Sequence, residues 1–415
     1  MKLKLTLPFL LLAVAIFGGC TKNTTHERYT IYRPIYQEES AIISNIKATG
    51  PTSITTPSKI YMRGNYVFIS EALKGIHVID ISNVTAPQNV AFINILGNND
   101  IAIKDNILLA DCGKTLVSID ITNPASPKVV NALYDALPIA WYGGLVYDGS
   151  KVIVGWTKKD TVFTMSDEEF DRYKNTTARG WMIYASASNS SGANPGGSNN
   201  GVAGSLSRFG VINDYLYSIG SSLITTINVQ NPSSPAKVST VTGSGVMETI
   251  FPLNDSKFLV GTQTGMLVFD ITNRQTPAKL GSYTHSSACD PVIADNQYAY
   301  ITLKAGTPCS GVVNQLEIVD ISNFQSIKQV KTYQMKHPAG LSKDGNTLFV
   351  CDDTDGLKVF NAVDVNNVAQ IAQLKNFTPK DIIASGGKGL VIANEGFYMI
   401  DYTNLSNIHV TGKLQ

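Results

Sequence analysis

Gly75-Ile-His-Val-Ile-Asp80-Ile-Ser-Asn83, followed by Pro87, is the stretch on which the fold is read. The pattern G-x-x-[VI]-[IF]-D-[IV]-[ST]-N-x-x-x-P, with small departures, returns as Leu116-Val-Ser-Ile-Asp120-Ile-Thr-Asn123 with Pro127. Further copies carry the marker residues Asn228, Asp270, Asp320, Asn361 and Asp401. A supersecondary unit repeated at a period of about 40 residues means an array of stacked copies rather than unrelated domains. The gap from Asp120 to Asn228 is more than twice the usual spacing and fits two units with an insertion. The expectation is therefore eight units with a degenerate third; seven units, with the third acting as an elaborated loop, is the alternative.

Each unit offers four short strands, in the first at residues 59–62, 66–70, 76–81 and 89–93. The third is almost continuously apolar, as expected of a strand buried on both faces between stacked sheets. Asp, Asn and Ser/Thr in the tail hold turns by bonding nearby backbone. Pro87, Pro127, Pro235 and Pro277 open the outermost strand, an edge where a missing N–H does no harm. Repeated four-stranded sheets of this length read as an all-β fold, the blades of a β-propeller.

On these residues the chain resembles the LVIVD family of propeller repeats, found in secreted and surface proteins of bacteria and archaea. The likeness covers roughly residues 57–415 and is best at 75–87 and 265–277. Tyr29-Thr-Ile-Tyr-Arg-Pro-Ile-Tyr36 with the first two units resembles LVIVD lipoproteins of the Bacteroidetes, which are mostly uncharacterised. The resemblance implies a propeller and export, and implies almost nothing about function.

The N-terminus reads as a targeting segment. Lys2 and Lys4 precede an apolar run at 5–17, too short to span a bilayer comfortably. The run ends in Phe17-Gly18-Gly19-Cys20, which resembles a bacterial lipobox. Residues 1–19 are thus expected to be a lipoprotein signal peptide, with Cys20 lipidated and 20–56 a tether and N-terminal segment ahead of the propeller at 57–415. An exported protein, lipid-anchored at the bacterial cell envelope (outer membrane, periplasmic or surface side), follows. Residues 41–47 are a candidate closing strand against the last blade. The formal net charge of +1 gives no broad electrostatic case for nucleic acid.

Insertions are expected near 158–204 and 303–313. The first holds Ser166-Asp-Glu-Glu169, a capping box predicting a short helix over 167–173, and a Ser/Asn/Gly-rich flexible stretch at 186–204. Cys289 opens the inner strand of the sixth unit and Cys309 lies in its insertion, which places both on one rim and suggests a disulfide; two free thiols are the alternative. Cys112 and Cys351 sit in apolar strand ends and read as buried small hydrophobes.

In a propeller, the loops entering the innermost strands lie on one face with those joining second strand to third. The pattern puts Asp100, Trp141, Arg208, Glu248, Asp290, His337 and Asp381 at that channel mouth, where convergent polar groups are a default site. They either bind a ligand or cap strands and bond neighbouring blades. Trp141, Trp156 and Trp181 all fall in the irregular third unit, as a platform for sugar or protein or as bulk filling a distorted blade. No HExxH, nucleophile elbow, Walker loop or dinucleotide fingerprint occurs. Asp352-Asp-Thr-Asp-Gly356 looks loosely like a calcium loop but lacks the later Glu and falls where each blade turns. Neither a cofactor nor a metal is expected. The leading reading is a non-catalytic lipoprotein that recognises a protein or glycan through its loop face. The alternative is a hydrolase or lyase, with or without Ca²⁺, using Asp100, Glu248, Asp290, His337 and Asp381.

Overall fold

The computed structural model describes residues 24–138, 150–166, 182–183, 202–285, 291–305 and 313–415. Among them, seven antiparallel sheets follow one another, each built on four consecutive strands. Their innermost strands are Pro57–Arg63, Ile101–Lys104, Phe209–Ile212, Met247–Asn254, Val292–Ala294, Leu341–Asp344 and Pro379–Ser385. These strands pack side by side in order, and the last returns against the first. The fold is a β-propeller of seven blades, numbered here 1 to 7, rather than the eight expected.

The missing blade has a physical explanation. The third unit lacks the D-[IV]-[ST]-N tail whose side chains make the turn from third to fourth strand in the other blades. Its strand Lys151–Ser166 pairs instead with Thr24–Glu38 as a long antiparallel ribbon, with one register shift between Ile35 and Tyr36. Met182–Ile183 adds to that ribbon beside Ile31 and Tyr32. The segment expected to close the ring does not do so either. Glu39–Ser44 is a short helix with Ile42 buried, and Lys47–Thr49 pairs with the outer strand of blade 1, not blade 7. Each of blades 1 and 7 is complete in one stretch of chain. Closure comes from packing, with Ile60, Ile69 and Ile79 of blade 1 meeting Ile383, Ile392 and Phe397 of blade 7 in one buried cluster.

The repeated tail works as a pair of turns. In all seven blades the marker side chain accepts the N–H two residues on, at 2.8–3.1 Å. The Asn or Asp three residues after it does the same, at 3.0–3.2 Å. Two successive side-chain turns carry the chain from third to fourth strand, and a bulge follows at the same place in every blade. Bulges add twist, which lets seven sheets fan around one axis. The third strands are buried on both faces, as at Gly75–Asp80.

The glycine that opens the repeat is required by close approach. A Cβ at Gly265 would stand 1.9 Å from the Tyr283 carbonyl oxygen, and its φ is +152°. Gly75, Gly356 and Gly396 meet outer-strand carbonyls in the same way, at 2.1 Å. Gly245 also has positive φ (+72°), but nothing lies within 4 Å of its Cβ position. Gly245→Ala should therefore cost about 1 kcal/mol of backbone strain. Gly265→Ala should cost at least about 3 kcal/mol, because overpacking adds to strain. Paired urea denaturation curves check this, and equal losses would contradict the close-approach account.

Candidate functional site

The strand order puts the start of each innermost strand, and the hairpin between second and third strands, on one face, called upper here. Acids at the ends of second strands tie the loops of that face. Glu71 accepts Thr56 N–H at 2.7 Å and Thr55 N–H at 3.2 Å. Asp111 accepts Asn99 N–H at 2.7 Å and Asp100 N–H at 2.8 Å. Asp352 accepts His337 N–H at 2.7 Å and Lys336 N–H at 3.1 Å. In blade 7, Glu395 accepts Thr378 N–H at 2.8 Å. The signal for three of these lies in the repeat, since Glu71, Asp111 and Asp352 each precede their marker residue by the same distance. Burial pushes the Glu71 carboxyl up, but bonds from His77, Thr55, Lys74 and Thr56 outweigh it and hold it well below the usual range.

Asp352 and its neighbours are answered by lysines. Lys358 Nζ reaches Asp352 at 2.5 Å and Asp355 at 2.8 Å, Lys336 reaches Asp355 at 2.8 Å, and Lys304 reaches Asp353 at 3.3 Å. The bonds from Lys336 and Lys358 hold Asp355 down at about 2. Ammonium groups stand where a bound calcium would need open carboxylates. Among the described residues, no group of three or more His, Cys, Asp or Glu is arranged to hold a metal ion.

Three of the expected mouth residues do converge. Residues 202–208 run along the channel, antiparallel to the inner strand of blade 1, with Val202 opposite Met62 and Ala203 opposite Tyr61. Gly204 N–H then bonds the Ile60 carbonyl at 2.6 Å. At the upper end, Ser205 gives its hydroxyl to Asp381 Oδ1 at 3.0 Å and accepts Leu341 N–H at 2.9 Å. Ser207 gives its hydroxyl to Asp100 Oδ1 at 3.0 Å, and Asp100 Oδ2 accepts Arg208 N–H at 2.5 Å. Ile250 N–H bonds the Ser207 carbonyl at 2.8 Å, and Lys59 Nζ bonds the carbonyl of Leu206. One seven-residue segment thus ties together inner strands of blades 1, 2, 4, 6 and 7. Arg208 sits loosely between Asp100 and Asp111, at 3.9 Å from each.

The channel's upper end is occupied by the chain itself. Asp100 and Asp381 are fully buried, and Cβ atoms at Gly204 and Gly340 would collide with Asp381 at 2.2 and 2.4 Å. Asp381 Oδ2 has no hydrogen-bond partner. Burial drives the Asp381 carboxyl up from 3.8 to about 8, against the backbone bond of Ile382, the Ser205 bond and the charge of Lys59. Burial likewise raises Asp111 to about 6 despite Arg208, and lowers Lys59 despite Asp100 and Asp381.

The remaining candidates are dispersed. Glu248 is half-buried and accepts a bond from Gln263 at 3.1 Å. His337 is exposed on the rim, and Trp156 lies half-buried on the ribbon. Cys112 and Cys351 are fully buried free thiols, as expected. Cys20, Trp141, Trp181, Cys289, Asp290, Cys309 and the helix expected at 167–173 lie outside the described residues. Lys59, Ser205 and Ser207 were not legible as site residues. The two serines stand in the Ser/Gly-rich end of the irregular unit, with no repeat to place them.

A family model described as the LVIVD repeat matches residues 57–93, 98–134 and 287–334, which correspond to blades 1, 2 and 5. The chain carries LVIVD repeats. The same doubled side-chain turns occur in the four blades that the family model does not match. No curated protein matches the sequence. A functionally unknown protein of Desulfotomaculum acetoxidans is 12% identical with a TM-score of 0.52, covering 85% of this chain and 95% of its own. A periplasmic gluconolactonase of Pseudomonas aeruginosa is also 12% identical with a TM-score of 0.52, covering 94% and 96%. A Lactobacillus plantarum protein is 9% identical with a TM-score of 0.52, covering 86% and 98%. At such identities the likeness is one of fold alone.

Two outcomes test the channel filling. Ser205→Ala leaves Leu341 N–H unpaired in the interior and Asp381 Oδ1 with the 3.3 Å bond from Ser205 N–H in place of two bonds, and should cost about 1–3 kcal/mol, read by urea denaturation. Asp381 holds its proton more tightly folded than unfolded. Its contribution to stability is full below about pH 4 and is lost as pH rises through about 8. Lys59 acts the other way, losing stability as pH falls below the ordinary lysine value of 10.5. Asp381→Asn should therefore flatten the fall in thermal midpoint from pH 5 to pH 9 relative to the parent; parallel profiles would contradict the assignment.

Proposed function

We propose that this protein is a non-catalytic recognition module of the cell envelope, exported, held at a membrane by acylated Cys20, and binding a protein or glycan through the loops of its upper face. One observation carries the reading: the acids at the channel mouth are bonded to the chain's own loops and to residues 202–208. A general acid or base must reach its substrate within hydrogen-bond distance. Asp381, kept protonated near neutral pH by burial, has the proton such a role needs, yet Gly204 and Ser205 lie directly on it. Rigid blades carrying tied loops suit recognition, where preorganisation lowers the cost of binding. A Cys289–Cys309 bridge beside blade 5 belongs to the same reading and would brace that face.

A ligand that binds only the folded state raises the thermal midpoint by mass action. A screen of the mature chain against a glycan panel, with capture from envelope extracts beside it, is the test. The expected ligand gives a shift that His337→Ala or Glu248→Ala reduces and Asp381→Asn leaves in place. Turnover of an ester or glycoside, abolished by Asp381→Asn, would sink the reading in favour of a hydrolase.

A further inference from the structure

The ribbon of Thr24–Glu38 and Lys151–Ser166 is out of keeping with the compact disc. Each strand extends for 15 or 16 residues, a length of about 50 Å at strand rise. Its base is fixed. Glu39 N–H bonds the Ser150 carbonyl at 2.9 Å, and Glu39 Oε1 accepts Lys114 and Thr115 N–H at 3.1 and 3.2 Å on the upper hairpin of blade 2. Beyond that base, among the described residues, the ribbon gains only the two-residue strand Met182–Ile183. A two-stranded ribbon is marginal in water unless a third strand or another surface covers it.

The side chains indicate what that surface is. The register sets Tyr32 opposite Lys158 and Pro34 opposite Trp156, so an aromatic pair and a cation share one face. Ile35 and Tyr36 are 44% and 36% exposed, and Lys158 and Lys159 are exposed beside Trp156. Tyr and Trp settle at the headgroup level of a bilayer, and clustered lysines are attracted to anionic lipid. The chain path supplies the proximity. Cys20 precedes Thr24 by four residues, so an acyl anchor there holds the ribbon's end within about 14 Å of the membrane. No helix among the described residues is long and apolar enough to cross a membrane.

We propose that the ribbon is a membrane-docking element that lies on an anionic phospholipid surface, with Tyr32, Tyr36 and Trp156 among the headgroups, Lys158 on their face against the phosphates, and Lys159, on the opposite face, adding its charge to the attraction. The proposal rests on the lipid-anchor reading of Cys20 for its proximity and adds a surface to it.

The test uses the full chain with Trp141→Phe and Trp181→Phe, which leaves Trp156 as the reporter, on phosphatidylcholine–phosphatidylglycerol vesicles carrying brominated acyl chains. Acylation of Cys20 is read separately by mass spectrometry, and folding by circular dichroism. The expected result is quenching of Trp156 together with at least about a tenfold loss of vesicle affinity in the non-acylated Cys20→Ser chain when Lys158→Glu and Lys159→Glu are combined. Lys388→Glu, on blade 7, should leave that affinity unchanged. An acylated protein whose Trp156 is not quenched overturns the docking proposal while the anchor stands. An unacylated Cys20 overturns the anchor; quenching of Trp156 in that chain still supports docking, and its absence overturns both.

Discussion

A side-chain oxygen accepting the backbone N–H two residues ahead is the interaction on which this propeller is organised. It occurs twice in succession in each blade, from Asp80 and Asn83 in the first to Asp401 and Asn404 in the last. The local bond fixes where the third strand stops and the fourth begins. That sets the bulge, and the bulge sets the twist with which one sheet meets the next. Third strands buried on both faces then weld neighbours into shared clusters, such as the one joining blades 4, 5 and 6. Long-range order here follows from a short-range bond repeated in register.

The centre of the disc obeys a different constraint. Seven inner strands leave a channel whose polar rims must be satisfied, and residues 202–208 supply the missing partners. Their serines face acids on blades 7 and 2, while their backbone bonds blades 1 and 4. Asp381 shows the residual cost, since one of its oxygens stays unpartnered and burial keeps the group protonated near neutral pH. Polar groups that look like a site on the primary structure are, at this end of the channel, the fastening of a plug.

What the amino-acid order disclosed follows the range of the interactions involved. The blades were legible because their turns are local and recur with the marker residues. Asp100, Arg208 and Asp381 were placed together for the same reason, each lying at the entry to an inner strand. Their role was hidden, because Ser205 and Ser207 reach the two acids across more than a hundred positions and belong to no repeat. The count of blades failed on an equally distant pairing, that of Lys151–Ser166 with Thr24–Glu38. An apolar, alternating strand announces that it will pair but not with what. The loop-tying role of Glu71, Asp111 and Asp352 was within reach, since aligning the repeats stacks these acids in one column.

No blade of this ring borrows a strand from another part of the chain to complete its four, and the first and last meet through side-chain packing and a bond from Lys380 to the Pro57 carbonyl, with no strand exchanged between them. Many closed architectures secure their seam by interlacing the two ends, which makes the ring indivisible at the level of the gene. Here the unit of inheritance and the unit of folding coincide. Duplicating or losing one repeat in such a gene adds or removes a whole sheet and strands no partner. The number of blades is thus open to change in single genetic steps, while the segment that plugs the channel must fit whatever bore results.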